Sequence, residues 1–155
     1  ASHNGYLDVV QALLAAGASK DQAADKGATP LYNASQNGHL EVVQALLAAG
    51  ASKDQATKIG ATPLLIASEN CHLEVVQALL AAGASKDQAI NDERTPLVMA
   101  SQSGHSEVVQ ALLAAGASKD QAKNDGATPL FIASKKGHLK VVKALLAAGA
   151  SKDQA

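Results

Sequence analysis

The stretch ALLAAGASKDQA occupies residues 12–23 and recurs at 45–56, 78–89, 111–122 and 144–155, always 33 positions apart. An identical word at one fixed interval implies one structural unit repeated, each copy meeting its neighbour through the same surface. Reading outward from the second copy gives the whole unit, ADKGATPLYNASQNGHLEVVQALLAAGASKDQA at 24–56. Thr29-Pro30 is a helix start: the hydroxyl caps free N–H groups, and proline at the first helical position loses no bond. Leu31, Ala34 and Ser35 follow at helical spacing, and Gly38 supplies the left-handed turn that stops this first helix. His39 lies in the short turn. A second helix begins at Leu40, with Val42, Val43, Leu46 and Leu47 as its apolar stripe, and Gly50 ends it. The remainder is polar and turn-like and leads to the next unit. The predicted class is all-α, a solenoid of stacked helix–turn–helix units joined by hairpin-like loops, because neither helix can hide its stripe alone.

Composition fits this reading. The hydrophobic share of 47% is largely alanine, with three aromatics, Tyr6, Tyr32 and Phe131, in 155 residues. Small side chains suit thin stacked layers better than one thick core. Residues 1–122 carry 7 Lys/Arg against 12 Asp/Glu, a net of −5, while 123–155 carry 6 against 2, a net of +4. A basic end without interleaved aromatics is a weak nucleic-acid signal, so solvated helix-surface lysines are the better account and no nucleic-acid partner is expected. The single cysteine, Cys71, rules out an intramolecular disulfide framework and is compatible with a reducing intracellular compartment. No apolar run reaches the roughly 18–20 residues of a membrane span, and no signal peptide is visible.

The motifs Thr29-Pro30-Leu31-Tyr32-Asn33-Ala34, Thr62-Pro63-Leu64-Leu65-Ile66-Ala67, Thr95-Pro96-Leu97-Val98-Met99-Ala100 and Thr128-Pro129-Leu130-Phe131-Ile132-Ala133, with Gly-His turns at 38–39, 104–105 and 137–138, resemble those of ankyrin-repeat proteins. The resemblance covers essentially the whole chain as a single domain, 1–155. It implies complete repeats at 24–56, 57–89, 90–122 and 123–155, with 1–23 the rear part of a fifth. Four departures stand out. Tyr32, Leu65, Val98 and Phe131 fill the slot of the family's motif histidine, so that residue's hydrogen bonds are missing. Cys71 replaces the turn glycine, where a left-handed backbone costs roughly 1–2 kcal/mol. Glu93 replaces the hairpin glycine of Gly27, Gly60 and Gly126. Ser106 replaces an apolar position held by Leu40, Leu73 and Leu139. Repeat 90–122 is therefore expected to be the least stable layer.

Nothing in the chain supports an enzyme. His39, His72, His105 and His138 recur once per unit, which spaces them by roughly the 8–10 Å of packed helices. A shared zinc needs every ligand atom about 2 Å from the metal. They read as turn histidines, and no metal or cofactor is expected. The Ser-x-x-Gly-His words, such as Ser35 with His39, are copied layer by layer and lack an orienting acid. Cys71 is a lone thiol with no activating neighbour in the sequence. The G-A-T-P words lack the spacing of a phosphate-binding loop.

The copies differ from each other mainly in the hairpins, the first helices and the start of the second. Hairpin tips read Asp25-Lys26, Lys58-Ile59, Asn91-Asp92 and Asn124-Asp125; first-helix ends read Gln36-Asn37, Glu69-Asn70, Gln102-Ser103 and Lys135-Lys136. The resemblance places these positions on a concave, partner-binding face. The expected contact residues are Asp25, Lys26, Lys58, Ile59, Glu69, Asn70, Asn91, Asp92, Arg94, Gln102, Ser103, Lys135 and Lys136. Ile59 and Arg94 stand out as an exposed apolar side chain and an exposed guanidinium among short polar ones. The expected partner is a protein, with no membrane involved; neutral drift at tolerant loops is the competing account of the same variation.

A second function class is a structural or designed array without a target. The near-identity of the copies favours it, while Cys71, Glu93, Ser106 and Asn33 are not designer's choices. Solenoids need polar ends. Lys135, Lys136, Lys140 and Lys143 make a partial cap, whereas the front, which starts without Met partway into a repeat, has none. That predicts further repeats upstream or end-to-end self-association.

Overall fold

The structure, a computed structural model, describes residues 2–152, with side chains from Tyr6 onward; the outermost positions of the first and last expected repeats, Ala1 and 153–155, lie outside the described residues. Among the described residues every regular element is a helix. They are α1 (Ser2–Ala15), α2 (Pro30–Gln36), α3 (Leu40–Ala48), α4 (Pro63–Glu69), α5 (Leu73–Ala81), α6 (Pro96–Ser103), α7 (Ser106–Ala114), α8 (Pro129–Lys136) and α9 (Leu139–Ala147).

The even-numbered helices begin as their Thr-Pro pairs dictate. Thr29 is extended, and its Oγ1 accepts the N–H of Tyr32 at 3.1 Å. Thr62, Thr95 and Thr128 do the same for Leu65, Val98 and Phe131, each at 3.2 Å. These threonines are buried, so the bond also satisfies a hydroxyl that water cannot reach. The later odd-numbered helices bury one stripe: Val42, Val43 and Leu46 in α3, Val75, Val76 and Leu79 in α5, Val108, Val109 and Leu112 in α7. Each fully buried Val or Leu contributes about 1.5–3 kcal/mol of transfer free energy. Even helices pack on even (α2 on α4, α4 on α6, α6 on α8) and odd on odd from α1 to α9, so two parallel files of helices share one continuous core from Leu31 to Ala150.

Beneath the loops lie two smaller apolar clusters. One joins Leu65 to Ala61, Ile90 and Met99, with Tyr32 against it; the other joins Val98 to Ala127 and Ile132. Leu65 and Val98, standing in the slot of the family's motif histidine, thus build apolar contacts, with Tyr32 against the first cluster, whereas Phe131 in the last layer is exposed.

Polar bonds between layers repeat with the helices. The Ser52 N–H donates to Asp21 Oδ1 at 2.7 Å, Ser85 to Asp54 at 2.7 Å, Ser118 to Asp87 at 2.8 Å and Ser151 to Asp120 at 2.8 Å. The identical SKDQ words are therefore rungs: the serine amide of one layer bonds the aspartate of the layer before.

Three findings qualify the sequence reading. Cys71 and Glu93 adopt φ of 62° and 65°, so both take the left-handed conformation that glycine holds in sister layers, with its strain. The layer expected to be weakest is nevertheless the most completely packed: Leu97, Val98, Ala100, Val108, Val109 and Leu112 are fully buried. Ser106 merely opens α7 at a half-buried position, and Leu139, its counterpart in the last layer, is exposed. By burial the weakest part is α1, which packs mainly on α3 and exposes Val9 (58%) and Leu13 (53%), whereas their counterparts Val42 and Leu46 are buried. Helix α1 also runs through Gly5 without the turn that Gly38 makes in the next layer.

Candidate functional site

Each loop closes as a tight hairpin. Thr57 N–H donates to the Ala61 carbonyl and Gly60 N–H to that of Thr57, both at 2.9 Å; Ile90 to Arg94 and Glu93 to Ile90 repeat the pattern at 3.1 and 2.9 Å. Neighbouring hairpins are joined tip to tip through the backbone. Lys58 N–H donates to the Lys26 carbonyl at 3.1 Å, Asn91 to Ile59 at 3.2 Å and Asn124 to Asp92 at 3.5 Å. Gly27 lies so near the next hairpin that a Cβ there would meet Lys58 N at 3.1 Å. The tips predicted as contacts, Asp25, Lys26, Lys58, Ile59, Asn91 and Asp92, consequently stand in register along one edge, all exposed.

The ends of the first helices are held by the histidines. The Nε2 of His72 donates to the Gln36 carbonyl at 3.0 Å, that of His105 to Glu69 at 2.9 Å and that of His138 to Gln102 at 3.0 Å. None of them caps its own helix with its side chain. The rings instead span layers, while His39 stacks on Tyr6 with centroids 5.9 Å apart. Among the described residues no group of three or more His, Cys, Asp or Glu is arranged to hold a metal ion. No described helix is long and apolar enough to cross a membrane.

Two predicted contact residues are partly absorbed into the frame. Asn70 Nδ2 donates to the Gln36 carbonyl at 3.1 Å, bridging layers. Arg94, expected as an exposed guanidinium, is half-buried, and its Nε donates to Asp92 Oδ2 at 2.7 Å and Oδ1 at 2.9 Å. This hydrogen bond, against a small desolvation cost, holds the Asp92 carboxyl below its ordinary range. Lys123 Nζ pairs with Asp125 Oδ2 at 3.0 Å in the following hairpin; the Ala127 N–H first and Lys123 second hold the Asp125 carboxyl down. Glu69 and Gln102 are half-buried, and Ser103 is exposed. Lys135 and Lys136 are exposed in the last turn of α8, where cations suit the helix dipole.

The first two hairpins enclose a groove of about 460 Å³ lined by Lys26, Tyr32, Gln36, Lys58 and Ile59, among others. It brings Lys26, Lys58 and Ile59 together with a first-helix side chain, Tyr32, absent from the predicted contact set. Tyr32 is half-buried, and its phenol is pushed above the ordinary value, first by burial and then by the nearby Glu69 carboxylate. Its counterparts Leu65 and Val98 are buried under their hairpins. The available signal was the slot's own variation, Tyr, Leu, Val and Phe, which reads as a lost histidine until the hairpin packing is known.

A family model of ankyrin repeats, in three copies, matches residues 1–90 and 85–155. No curated protein matches the chain. Ankyrin repeats are in general protein-interaction modules and typically non-enzymatic. The matched residues take in the Thr-Pro helix starts, the Gly-His turns and the layered hairpins alike, and on that match the chain belongs to the ankyrin-repeat family.

Proposed function

We propose that the chain is a non-enzymatic scaffold that holds a protein partner on its hairpin-side face, formed by the hairpin tips and the exposed ends of the first helices. The observation that carries this reading is a division of labour. Identical segments are consumed in bonds between layers, while the tips that differ, from Asp25-Lys26 to Asn91-Asp92, project in register from a backbone ladder. Varied side chains on a rigid frame bind with little ordering cost. The expected contact set is the one read from the sequence, with Tyr32 and Gln36 added and Arg94 reassigned to support Asp92. The test compares Ile59→Asp combined with Gln102→Glu against Gln44→Glu combined with Gln77→Glu on the outer face of the second helices. The first pair abolishes capture of the protein's specific partners and the second leaves it intact, with the helical circular dichroism unchanged in both. Equal capture by the two would sink the proposal.

Exposed apolar side chains at both ends favour a second reading, end-to-end association. Val9 and Leu13 lie open at one end, Leu139 (62%) and Leu146 at the other. A mass that climbs with concentration in light scattering, and stops climbing in Leu13→Glu, supports it; a constant mass near 15.6 kDa removes it.

A further inference from the structure

We propose that the groove between the first two hairpins receives a protein segment pairing an acidic with an apolar side chain, the carboxylate on Lys26 and Lys58 and the apolar group on Tyr32 and Ile59. This rests on the hairpin-side face being the binding face and names the partner chemistry that one part of it takes.

The four hairpins carry their charges differently. In the third, Arg94 is neutralised by Asp92; in the fourth, Lys123 by Asp125. The slot that holds those aspartates is filled by Lys26 in the first hairpin and Ile59 in the second. Among the described residues neither Lys26 nor Lys58 has an ion-pair partner within 4.0 Å. Asp25 is next to Lys26 in the chain but does not line the groove, and neither does Glu69, the carboxylate that acts on Tyr32. Two unpaired cations thus flank the groove, while the cations of the later rungs are paired within their own hairpins.

The floor between those cations is apolar and open. Ile59 is 59% exposed although the neighbouring apolar side chains Leu65 and Ile90 are buried. Exposing a large aliphatic side chain beside a half-buried tyrosine is the arrangement of an interface anchor, with desolvation at the centre and charge at the rim. A groove of about 460 Å³ takes a few side chains of a peptide. Lysines at its edge favour an anion by steering and by complementarity, and reject a basic segment of the same shape.

The probe is a phage-displayed library of random peptides about twelve residues long, selected on the full chain. Selected peptides are then measured by fluorescence anisotropy against the parent, Lys26→Glu/Lys58→Glu, and Gln102→Glu/Ser103→Glu. The expected winners place Asp or Glu beside Leu, Ile, Phe or Trp. Their affinity falls by about tenfold or more on the lysine reversal, falls less on the Gln102/Ser103 variant, is unchanged by Gln44→Glu/Gln77→Glu on the outer face, and returns when the peptide's acid is replaced by Lys against the reversed protein. Winners without an acidic residue, or winners lost only on the Gln102/Ser103 variant, overturn this inference and leave the binding face standing. An empty selection, or peptides indifferent to every hairpin-side variant, overturns both. Unchanged circular dichroism certifies each variant as folded.

Discussion

The imidazole of His72 lies over Gly38 so closely that a Cβ at Gly38 would stand 2.6 Å from its Nδ1, while its Nε2 donates to the Gln36 carbonyl at 3.0 Å. His138 stands over Gly104 in the same way, with 2.7 Å to the corresponding Cβ. Glycine is favoured there on two counts, the space taken by the ring and a φ of 70° at Gly38, although Cys71 holds the same slot one layer on with a φ of 62° while His105 still reaches the Glu69 carbonyl at 2.9 Å. Gly38→Ala should therefore cost more than the roughly 1–2 kcal/mol of a left-handed alanine. Adding His72→Ala should recover the steric part only. A urea-denaturation cycle over the two sites measures that coupling, and additive costs would show that the ring is not the obstacle.

Cys71 and Glu93 are the converse case, side chains where the backbone asks for glycine. Cys71→Gly and Glu93→Gly should each stabilise by about 1 kcal/mol, less whatever the freer unfolded chain takes back. For a chain of this size that is a rise of about 2–4 °C in Tm. A fall on either substitution would mean that the side chain makes a compensating contact.

Tyr32 is one of two tyrosines in a chain without tryptophan, so its ionisation can be followed by ultraviolet absorbance in a Tyr6→Phe background. Burial and the Glu69 carboxylate both disfavour the phenolate. Glu69→Gln removes the second influence and should lower the Tyr32 pKa, leaving it still above the ordinary 10.0. An unchanged titration would place Glu69 too far away to matter.

The Asp92–Arg94 pair gives a signed pH prediction. A carboxyl whose folded pKa is depressed stabilises the fold above its unfolded value and loses that contribution as pH falls through the folded one. Arg94→Ala should therefore reduce the stability lost on acidification below about pH 4. The effect should be no more than about 0.2–1 kcal/mol, because the pair is largely solvated and screened. Denaturation midpoints for the two proteins that run parallel across that range would contradict the assignment.

Much of the fold is legible residue by residue because its devices are local. Thr29-Pro30 starts a helix within three residues, and Gly50 ends one in the same span. The left-handed strain at Cys71 is readable because sister layers show glycine in that place. What is not legible depends on side chains meeting across layers or turning within a loop. No spacing rule says that Asp92 turns its carboxylate to Arg94 Nε, which ties the guanidinium into its own hairpin. Tyr32 reads as a missing histidine until Lys58 and Ile59 are seen to stand beside it. Helix α1 continues through Gly5 because a glycine permits a turn without imposing one.

The aspartate–serine rungs, alike in every layer, have a cost in addressing. A rung formed between Asp21 and Ser85, one layer out of register, would use the same atoms as the native one. Recognition of the right neighbour falls instead to the few contacts that differ: Leu65 with Met99 and Ile90, Val98 with Ile132, and the Tyr6–His39 stack. These side chains are the candidate layer labels during folding. Making the slot of the family's motif histidine alike, with Tyr32→Leu, Val98→Leu and Phe131→Leu matching the leucine already at position 65, should leave the final helix content intact yet populate slow, layer-skipped species. Such species would appear as an added refolding phase, and single-exponential refolding of that variant would show that the order of layers is set by chain connectivity alone.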